Sequence, residues 1–410
     1  MPERGIVIIG AGEAGTRAAL ALRENGWSGR LTLIGGEPHP PYERPPLSKA
    51  ALVCAAEPPP PAIAAAAQFG ELGIERLAGL KVVAIDRAEH RLRTSAGAAI
   101  PYERLLLATG ARARRLPVPG GEHAALLRFY DDALVLRQRL KPGARVAIIG
   151  GGFIGLELAA SARERGCSVI VFEAAPRILT RGVPADLAAA LAARHAAAGV
   201  EIVAGCAPAG IARDGKGFRV ELSDRRAFAA DCVVAGIGAA PAVELAAEAG
   251  LAIDNGIAVD GKLRTSDPDI FAAGDCCSFP HALYDGRRVR LEAWRNAQDQ
   301  GAFVACSLLG AVEDYSATPW FWSDQYDLHL QISGLVEAAR TTVARDLGGG
   351  ARLNFHLAAD GRLVAASAIG RIEAVAKDAR IAEMLIARRA KPDPAHLAAN
   401  ERKLKTLLAA

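Results

Sequence analysis

The chain has 410 residues, of which 49 are basic and 45 acidic, and this mild formal net charge of +4 gives no indication of a nucleic-acid surface. No stretch is long and apolar enough to span a bilayer, and the N-terminus leads almost directly into a strand. We therefore expect neither a membrane partner nor a signal peptide, and we expect a cytoplasmic location. The length predicts two or three domains with substantial cores.

The first predicted element is a buried strand, Ile6–Ile9, that leads into the glycine fingerprint GAGEAG of residues 10–15. Glycine lets the backbone turn tightly and approach a pyrophosphate, and the helix that follows offers free N–H groups at its positive end. The next predicted strand, Leu31–Gly35, leads to Gly36, where an acid normally holds a ribose. Glu37, or a backbone group with water, is left to make that contact. A unit of this kind predicts a dinucleotide site.

A proline-rich segment, PPYERPPLSK at residues 40–49, follows this unit and presents two cations. Arg44 can neutralise a pyrophosphate, and Lys49 can reach a flavin ring, where positive charge favours the reduced, anionic form. The alternative is a rigid surface turn with solvated charges.

A second fingerprint, GGGFIG at residues 150–155, stands 140 residues after the first and again follows an apolar strand, Val146–Ile149. The strand after its helix, Val169–Phe172, ends on Glu173. A carboxylate there accepts hydrogen bonds from both ribose hydroxyls and repels a 2′-phosphate, which favours NADH over NADPH, although Arg177 lies close enough to weaken the preference. Two such units predict two dinucleotides and an enzyme that moves electrons between them.

Later segments add to these units. Gly274 and Asp275 close the motif TSDPDIFAAGD, in which glycine lets the backbone pass close to a ligand. Because this motif stands so far from Gly10, the first unit is expected to be discontinuous, with the second inserted. Three of the four tryptophans fall between residues 294 and 322, either as an aromatic wall over a flavin ring or as a core cluster.

The seven cysteines lack the spacing of a redox dithiol, an iron–sulfur cluster or a zinc site, so no metal is predicted. Cys276 and Cys277 are expected to be small buried residues. Cys54 stands alone after the Lys49 segment, at the place where an oxidase or peroxidase would need a cysteine. Without a dithiol, electrons are expected to leave the protein for a separate carrier.

Together, these motifs resemble the FAD-dependent NADH:ferredoxin reductases that serve bacterial oxygenases, a family that includes putidaredoxin reductase, rubredoxin reductases and the reductase components of aromatic-ring dioxygenases. Besides both fingerprints, the segments that carry the resemblance are residues 40–49 (PPYERPPLSK), 105–110 (LLLATG), 127–132 (LRFYDD), 235–241 (AGIGAAP), 265–275 (TSDPDIFAAGD), 292–297 (EAWRNA) and 319–325 (PWFWSDQ). The resemblance implies FAD on the first unit and NADH on the second. It also implies single-electron delivery to an iron–sulfur carrier, a ferredoxin or rubredoxin, that feeds a P450 or a Rieske-type oxygenase.

The resemblance also assigns individual residues. It pairs Glu157 with Lys49 near the flavin ring as the catalytic pair, since buried opposite charges stay ionised only together. Stabilisation of the helix dipole is the alternative role for Glu157. The implied FAD contacts are Gly10, Gly12, Ala14, Gly15, Glu37, Arg44, Lys49, Val82, Ala108, Thr109, Gly110, Arg128, Gly274, Asp275 and Trp294. The implied NAD contacts are Gly150, Gly152, Phe153, Ile154, Gly155, Glu157, Glu173 and Gly238.

The expected fold class is α/β, with two Rossmann-like dinucleotide-binding domains and a C-terminal α+β domain. The domains expected are a discontinuous FAD domain (residues 1–112 and 247–318), an inserted NAD domain (113–246) and a C-terminal domain (319–410). In the last of these, the predicted elements are the strands Leu328–Ile332, Arg340–Ala344, Arg352–Leu357 and Leu363–Ile369 and a helical tail from Ile372.

Two other functions fit the same motifs. An NADH oxidase or peroxidase of this fold would depend on Cys54. An NADH-sensing flavoprotein resembling apoptosis-inducing factor would turn over slowly and keep a long-lived charge-transfer complex. The chain carries no added targeting or basic segment, which favours the reductase.

Overall fold

The computed structural model describes residues 5–408, and the chain forms two compact units. The first unit comprises the chain through Glu43, Pro59–Arg112 and Ala240–Pro319. The second comprises Arg44–Pro58, Ala113–Ala239 and the chain from Trp320 onwards. Each unit has its own parallel sheet with helices, and the predicted α/β class is confirmed.

The elements are numbered in chain order. The strands are β1 (Ile6–Ile9), β2 (Leu31–Ile34), β3 (Ile74–Leu77), β4 (Val82–Asp86), β5 (Arg91–Thr94), β6 (Ala99–Pro101), β7 (Arg104–Leu107), β8 (Ala111–Ala113), β9 (Arg145–Ile149), β10 (Ser168–Glu173), β11 (Val200–Ala204), β12 (Pro208–Asp214), β13 (Gly217–Leu222), β14 (Ala227–Ala230), β15 (Cys232–Ala235), β16 (Ala239–Pro241), β17 (Ile257–Ala258), β18 (Ile270–Ala272), β19 (Cys277–His281), β20 (Arg287–Val289), β21 (Trp320–Gln325), β22 (Leu328–Gly334), β23 (Thr341–Gly348), β24 (Ala351–Leu357) and β25 (Leu363–Gly370). The α-helices are α1 (Glu13–Glu24), α2 (Ala50–Val53), α3 (Ala66–Glu71), α4 (Tyr130–Arg139), α5 (Phe153–Glu164), α6 (Ala185–Ala197), α7 (Glu244–Glu248), α8 (Trp294–Leu308), α9 (Ile372–Ala387) and α10 (Pro394–Ala398). Short 3₁₀ turns cover Pro45–Ser48, Gly121–His123, Ala282–Tyr284, Val336–Ala338 and Leu404–Leu408. Within residues 5–408, no helix has the length and apolar character needed to cross a membrane.

A five-stranded parallel sheet in the order β18-β7-β1-β2-β3 forms the centre of the first unit. The apolar strand β1 is buried along its whole length, as expected where both faces of a parallel sheet are covered. Helix α1 follows β1 and packs against α8. The two helices approach closely at Gly301, where a Cβ atom would lie 2.5 Å from the carbonyl oxygen of Ala14. The sheet therefore presents the first fingerprint at the carboxyl end of its central strand.

A four-stranded parallel sheet in the order β11-β10-β9-β15 carries the second fingerprint, which lies between β9 and α5 in the second unit. The same unit contains a five-stranded antiparallel sheet, β21-β22-β25-β24-β23, against which α9 packs. Strands overlapping β22 to β25, and a helix from Ile372, are predicted from the sequence and are confirmed. Strand β21 is not predicted, because its three successive aromatic residues mask the alternation of a strand.

Three smaller sheets have three strands each. The sheets β4-β5-β6 and β17-β19-β20 belong to the first unit, and β12-β13-β14 belongs to the second. All three lie outside the parallel sheets that carry the fingerprints.

Candidate functional site

The first fingerprint folds into a tight turn between β1 and α1 in which glycine is required. Gly10 has a φ of +112°, and a Cβ atom there would overlap the carbonyl oxygen of Ala108. A Cβ atom at Gly15 would overlap the carbonyl oxygen of Gly10. At Gly12, by contrast, a Cβ atom would meet no atom within 4 Å, because this glycine faces open space. The turn therefore forms an open cradle at the start of α1.

This first cradle fits a pyrophosphate. The N-cap residue of α1 is Gly12, which makes no side-chain cap to the first N–H groups of the helix, so these can bind an anion. Gly274 has a φ of +82°, and its Cβ atom would lie 3.0 Å from the Cβ atom of Ala14. The Gly274 N–H donates to Oε1 of buried Gln300 at 2.8 Å. The structure thus brings the fingerprint and the Gly274-Asp275 motif together in the first unit.

The residues predicted to hold the adenosine ribose lie just after β2. Gly36, which stands where an acid is expected, is exposed. Glu37 is half-buried, and its Oε2 accepts a hydrogen bond from the Tyr42 hydroxyl at 2.5 Å. This hydrogen bond holds the Glu37 carboxylate near the end of β2. A contact between Glu37 and a ribose stays a prediction.

The other predicted FAD residues of the first unit lie after strand β7, at the start of strand β4 and at the start of helix α8. Residues 108–110 directly follow β7, and the Thr109 hydroxyl donates to the carbonyl oxygen of Ala242 at 2.6 Å. Val82 is the first residue of β4, and Trp294 is the first residue of α8. Both side chains are half-buried, and their contacts with FAD also stay predictions.

One titratable group at the first cradle is not predicted from the sequence. Glu13 is the first residue of α1, and burial, followed by the nearby Glu43 carboxylate, raises its pKa to about 7. Hydrogen bonds from Trp294 and Gln298 and the charge of Arg17 oppose this rise. The sequence signal for such a group is an acidic residue inside the glycine fingerprint.

Glu13 is expected to make stability depend on pH. The folded state keeps the Glu13 proton up to about pH 7, whereas the unfolded chain releases it near 4.5, so its contribution to the free energy of unfolding falls as pH rises between these values. The stability of Glu13→Gln relative to the wild type should therefore rise across this interval and level off on either side. Urea unfolding of both proteins at a series of pH values measures this difference, and a difference independent of pH would contradict the expectation.

The second fingerprint repeats the geometry of the first between β9 and α5. Gly150 has a φ of +109°, and its Cβ atom would overlap the carbonyl oxygen of Gly236, which follows β15. A Cβ atom at Gly155 would overlap the carbonyl oxygen of Gly150, whereas the nearest atom to a Cβ at Gly152 would be 4.0 Å away. The second cradle is therefore also open and fits a pyrophosphate in the same way.

The remaining predicted NAD residues near the second cradle lie at the start of α5 and after β15. Phe153 begins α5, and its ring meets that of Phe321 edge-on at a centroid distance of 4.9 Å. Ile154 is an apolar side chain that is 46% exposed. Gly238 has a φ of +95°, and a Cβ atom there would lie 3.6 Å from the Arg181 guanidinium. Their contacts with NAD stay predictions.

Glu173 ends β10 and is tied to the second fingerprint. Its Oε2 accepts the Gly151 N–H at 2.7 Å, and its Oε1 accepts the Ala175 N–H at 2.8 Å. Each oxygen keeps a further lone pair for a ribose hydroxyl. The Arg177 guanidinium donates instead to backbone carbonyls of its own loop, those of Ile178, Leu179 and Val183. The positive charge expected to weaken the NADH preference is therefore already engaged.

The predicted pair of Lys49 and Glu157 comes together in the second unit. Nζ of Lys49 lies 2.6 Å from Oε2 of Glu157, whose side chain is only 5% exposed. The Ser48 hydroxyl donates to the same oxygen at 2.5 Å, and the Ser323 hydroxyl donates to Oε1 at 2.6 Å. One cation and two hydroxyl donors therefore satisfy a buried carboxylate. The two serines are not predicted, although both lie inside motifs that carry the resemblance.

The two arginines predicted to contact FAD also meet in the second unit. Nη1 of Arg44 donates to the carbonyl oxygen of Arg128 at 2.5 Å, and the Arg44 guanidinium stands 5.1 Å from the ring centroid of Phe129. The N–H groups of Arg128 and Phe129 donate to the Asp132 carboxylate at 3.0 and 2.9 Å. The Arg44 guanidinium therefore lies beside the Arg128 backbone, and a contact of either arginine with FAD stays a prediction.

Two of the tryptophans form a stacked pair on β21. The rings of Trp320 and Trp322 have centroids 5.1 Å apart and an interplanar angle of 31°, and both side chains are half-buried. Nε1 of Trp322 donates to Asp324 at 2.9 Å, and Nδ1 of His329 lies 2.6 Å from the same carboxylate. A hydrogen bond to Asp324 therefore holds the Trp322 ring, while both rings keep part of their surface exposed to solvent.

All seven cysteines are free thiols. Cys276 and Cys277 are buried, and burial raises the pKa of both thiols, which makes them unreactive. Cys54 is exposed just after α2. In the part of the chain that the structure describes, no three His, Cys, Asp or Glu side chains are placed to hold a metal ion.

Comparison with known protein families gives two matches. The family described as pyridine nucleotide-disulphide oxidoreductase matches residues 4–301. The family described as reductase C-terminal matches residues 320–408. The two matches together span nearly the whole chain.

Individual relatives are similar over the same span. The ferredoxin–NAD(+) reductase component of the anthranilate 1,2-dioxygenase system from Burkholderia cepacia is 43% identical over 405 residues, 98% of each chain. Rhodocoxin reductase from Rhodococcus erythropolis is 42% identical over 343 residues, which cover 83% of this chain and 80% of the relative. The solved ferredoxin reductase for the CYP199A2 system from Rhodopseudomonas palustris has a TM-score of 0.93 and 39% identity, with 99% of this chain and 100% of that chain covered.

Proposed function

Because the chain belongs to the pyridine nucleotide-disulphide oxidoreductases and, within them, to the ferredoxin–NAD(+) reductases, we propose that it passes electrons from NADH through FAD, one at a time, to an iron–sulfur carrier. The family, the cofactors FAD and NAD(H) and the type of carrier that the sequence predicts are confirmed. The carrier in turn feeds an oxygenase of the P450 or Rieske type. In this structure, the proposal is carried by two open glycine cradles, one in each unit.

We propose that the first cradle binds the FAD pyrophosphate. The N–H groups at the start of α1 face the space that Gly12 leaves open, and Gly274 packs against the same turn. Asp275 would then bind a ribityl hydroxyl. Arg44 and Arg128, which belong to the second unit, stay proposed FAD contacts on the family resemblance alone. Bound FAD supplies the conversion from a two-electron donor to one-electron delivery.

We propose that the second cradle binds NADH. The open space at Gly152 takes the pyrophosphate, and Glu173 accepts hydrogen bonds from the ribose hydroxyls. The two backbone N–H groups that already hold Glu173 fix its orientation before the cofactor binds. A 2′-phosphate at the same place would meet this carboxylate and be repelled.

Glu173→Gln is expected to weaken the preference for NADH. The variant loses the charge that repels a 2′-phosphate and cannot accept both backbone N–H groups, so the KM for NADH should rise about tenfold and the ratio of NADPH to NADH activity about 100-fold. Steady-state kinetics with both cofactors measures the change. The control is Glu201→Gln, an exposed residue on the neighbouring strand β11, which should leave both constants unchanged. An unchanged cofactor ratio in Glu173→Gln would remove this residue from the ribose site.

We propose that the Lys49–Glu157 pair sets the charge at the flavin ring. Lys49 provides a positive charge, and Glu157 holds it at a fixed place through the 2.6 Å contact. The serine donors on Glu157 keep the carboxylate from turning. The task of these residues is positioning and charge tuning, so no acid–base pair is required.

The proposed reductase function is tested with purified protein, NADH and a panel of electron acceptors. Several ferredoxins, a rubredoxin and oxygen alone are compared by the rate of NADH oxidation. At least one iron–sulfur carrier should accelerate NADH oxidation far above the oxygen rate, and Cys54→Ser should leave that acceleration intact. If oxygen or peroxide is the best acceptor and Cys54→Ser abolishes its reduction, the protein is an oxidase or peroxidase. Slow turnover with every acceptor, together with a long-lived charge-transfer band, would instead indicate an NADH-sensing flavoprotein.

We further propose the domain division expected from the motifs. Residues 1–112 and 247–318 form the FAD domain, residues 113–246 the NAD domain and residues 319–410 the C-terminal domain. Support comes from the two parallel sheets, each with one fingerprint, and from the antiparallel sheet that begins at Trp320. We place the enzyme in the cytoplasm, because NADH is supplied there.

A further inference from the structure

A chain of four hydrogen bonds leads from the buried Glu157 carboxylate to the side chain of Tyr326. The Ser323 hydroxyl donates to Oε1 of Glu157 at 2.6 Å, and Nε2 of Gln325 donates to Oγ of Ser323 at 2.9 Å. Oε1 of Gln325 lies 2.7 Å from Nε2 of His195, and Nδ1 of His195 lies 3.2 Å from the Tyr326 hydroxyl. Ser323, Gln325 and His195 are each at most 1% exposed. We call these four residues, Ser323, Gln325, His195 and Tyr326, the relay.

The chemistry of the groups gives the relay one direction. A carboxylate only accepts, so the single hydroxyl hydrogen of Ser323 must go to Glu157. The Ser323 oxygen then accepts from the amide nitrogen of Gln325, which turns the amide oxygen toward His195. Burial lowers the pKa of His195, so the ring is neutral, with its hydrogen on Nε2 and its Nδ1 accepting from Tyr326. Every donor in the relay therefore points toward Glu157.

We propose that the relay is a positioning device for the Lys49–Glu157 pair: Ser323, Gln325 and His195 hold Oε1 of Glu157 in place so that Oε2 stays on Lys49. The role of this pair in electron transfer rests on the proposed function. The relay and Glu157 together join three elements of the second unit, since Glu157 lies on α5, His195 on α6 and the other residues on or just after β21.

The relay acts by orientation and not by carrying protons. An amide such as that of Gln325 does not readily accept and release a proton, so it interrupts any proton path between His195 and Glu157. Aligned donors instead polarise one another and strengthen the final hydrogen bond to the carboxylate. A unidirectional chain of this kind fixes one rotamer of Glu157. The Lys49 ammonium group, which pairs with Glu157, is thereby held at one place.

The direction of the relay predicts a specific response to Glu157→Gln. The two donors on the Oε2 side keep the new amide oxygen there, so the new NH₂ group faces Ser323. The Ser323 hydroxyl must then donate to Gln325, whose amide turns and donates to Nε2 of His195. The hydrogen on His195 is thereby expected to move from Nε2 to Nδ1, where it donates to Tyr326. A substitution of Glu157, next to the relay, thus changes the tautomer of a ring three hydrogen bonds away.

The tautomer is read from the ¹⁵N chemical shifts of the FAD-bound protein labelled on its eight histidines. His195→Gln assigns the signal, and Glu201→Gln is the control that should leave it unchanged. Ser323→Ala cuts the relay, so adding Glu157→Gln to that variant should no longer move the hydrogen. If Glu157→Gln leaves the hydrogen on Nε2, or if the shift persists in the Ser323→Ala background, the relay is not a directed chain and the proposal falls.

Kinetics test whether the directed chain positions the pair. Ser323→Ala should lower kcat about tenfold with the KM for NADH changed less than twofold, and Ser323→Thr, which keeps the hydroxyl, should restore kcat. A tautomer response with an unchanged kcat in Ser323→Ala would overturn the positioning role. An inactive wild type with every carrier, but an intact tautomer response, would refute the proposed function while leaving the relay in place.

Discussion

Gly12→Ala is expected to give a folded protein without FAD, and Gly152→Ala a folded flavoprotein that has lost NADH binding. At both positions the backbone is extended, with a φ of −82°, and alanine accepts this conformation without strain. A methyl group would meet no atom within 4 Å at Gly12, and none closer than 4.0 Å at Gly152. Neither substitution should therefore affect the fold.

We expect these alanine substitutions to weaken dinucleotide binding. The methyl group enters the space from which the helix N–H groups reach a pyrophosphate, and each charge-assisted hydrogen bond lost costs about 1.5–3 kcal/mol. With two such bonds disturbed, affinity for the matching dinucleotide should fall at least about 100-fold. The FAD content of the purified protein and the NADH dissociation constant, measured by titration, report the two cradles separately.

Matched variants separate ligand loss from unfolding. Gly70→Ala, on α3 and also with open space around its Cβ position, should change neither cofactor. Gly15→Ala and Gly155→Ala place a methyl group against backbone carbonyls and should lower the free energy of unfolding in addition. The assignment of FAD to the first cradle is wrong if Gly12→Ala keeps its FAD, or if Gly152→Ala is the variant that loses it.

Lys49→Met is expected to slow electron transfer and destabilise the protein together. The substitution leaves the Glu157 carboxylate buried without its cation, and breaking a buried pair in this way costs about 3–5 kcal/mol. Removal of the positive charge should also lower NADH-dependent carrier reduction about 100-fold, because electrostatic positioning is the task proposed for the pair. Urea unfolding and steady-state turnover with a saturating carrier measure the two effects.

The double variant Lys49→Met with Glu157→Gln distinguishes structure from function. Without the buried charge it should regain most of the lost stability, yet its turnover should stay as low as that of Lys49→Met. Lys262→Met, which removes an exposed ion pair with Asp314, is the control and should change stability by less than about 1 kcal/mol. Recovery of turnover along with stability in the double variant would show that the pair serves the fold and not the reaction.

Much of the fold is predictable from short patterns. Both fingerprints follow buried apolar strands, and the C-terminal strands overlapping β22 to β25 show their positions through local apolar runs. Only the resemblance implies the pairing of Lys49 with Glu157, because the two residues lie 108 positions apart and no local pattern joins them. Chain topology alone brings them together.

The residues that support the site were beyond sequence reasoning for the same physical reason. Ser323 contacts Glu157, and His195 is linked to it through Gln325 and Ser323, only because β21, α6 and α5 lie in the same unit. The raised pKa of Glu13 depends on burial, which its place in a fingerprint does not reveal. Arg177 was close to Glu173 in sequence, but its loop turns the guanidinium onto backbone carbonyls.

The central claim is that this chain converts two-electron oxidation of NADH into single-electron delivery, and one stoichiometry tests it most directly. The purified enzyme is mixed anaerobically with a limiting amount of NADH and an excess of oxidised ferredoxin, and the absorbance changes of both are recorded. Two molecules of ferredoxin should be reduced for each NADH consumed, since each carrier accepts one electron. NADH that is consumed without ferredoxin reduction, or that is not consumed until oxygen is admitted, would contradict the account.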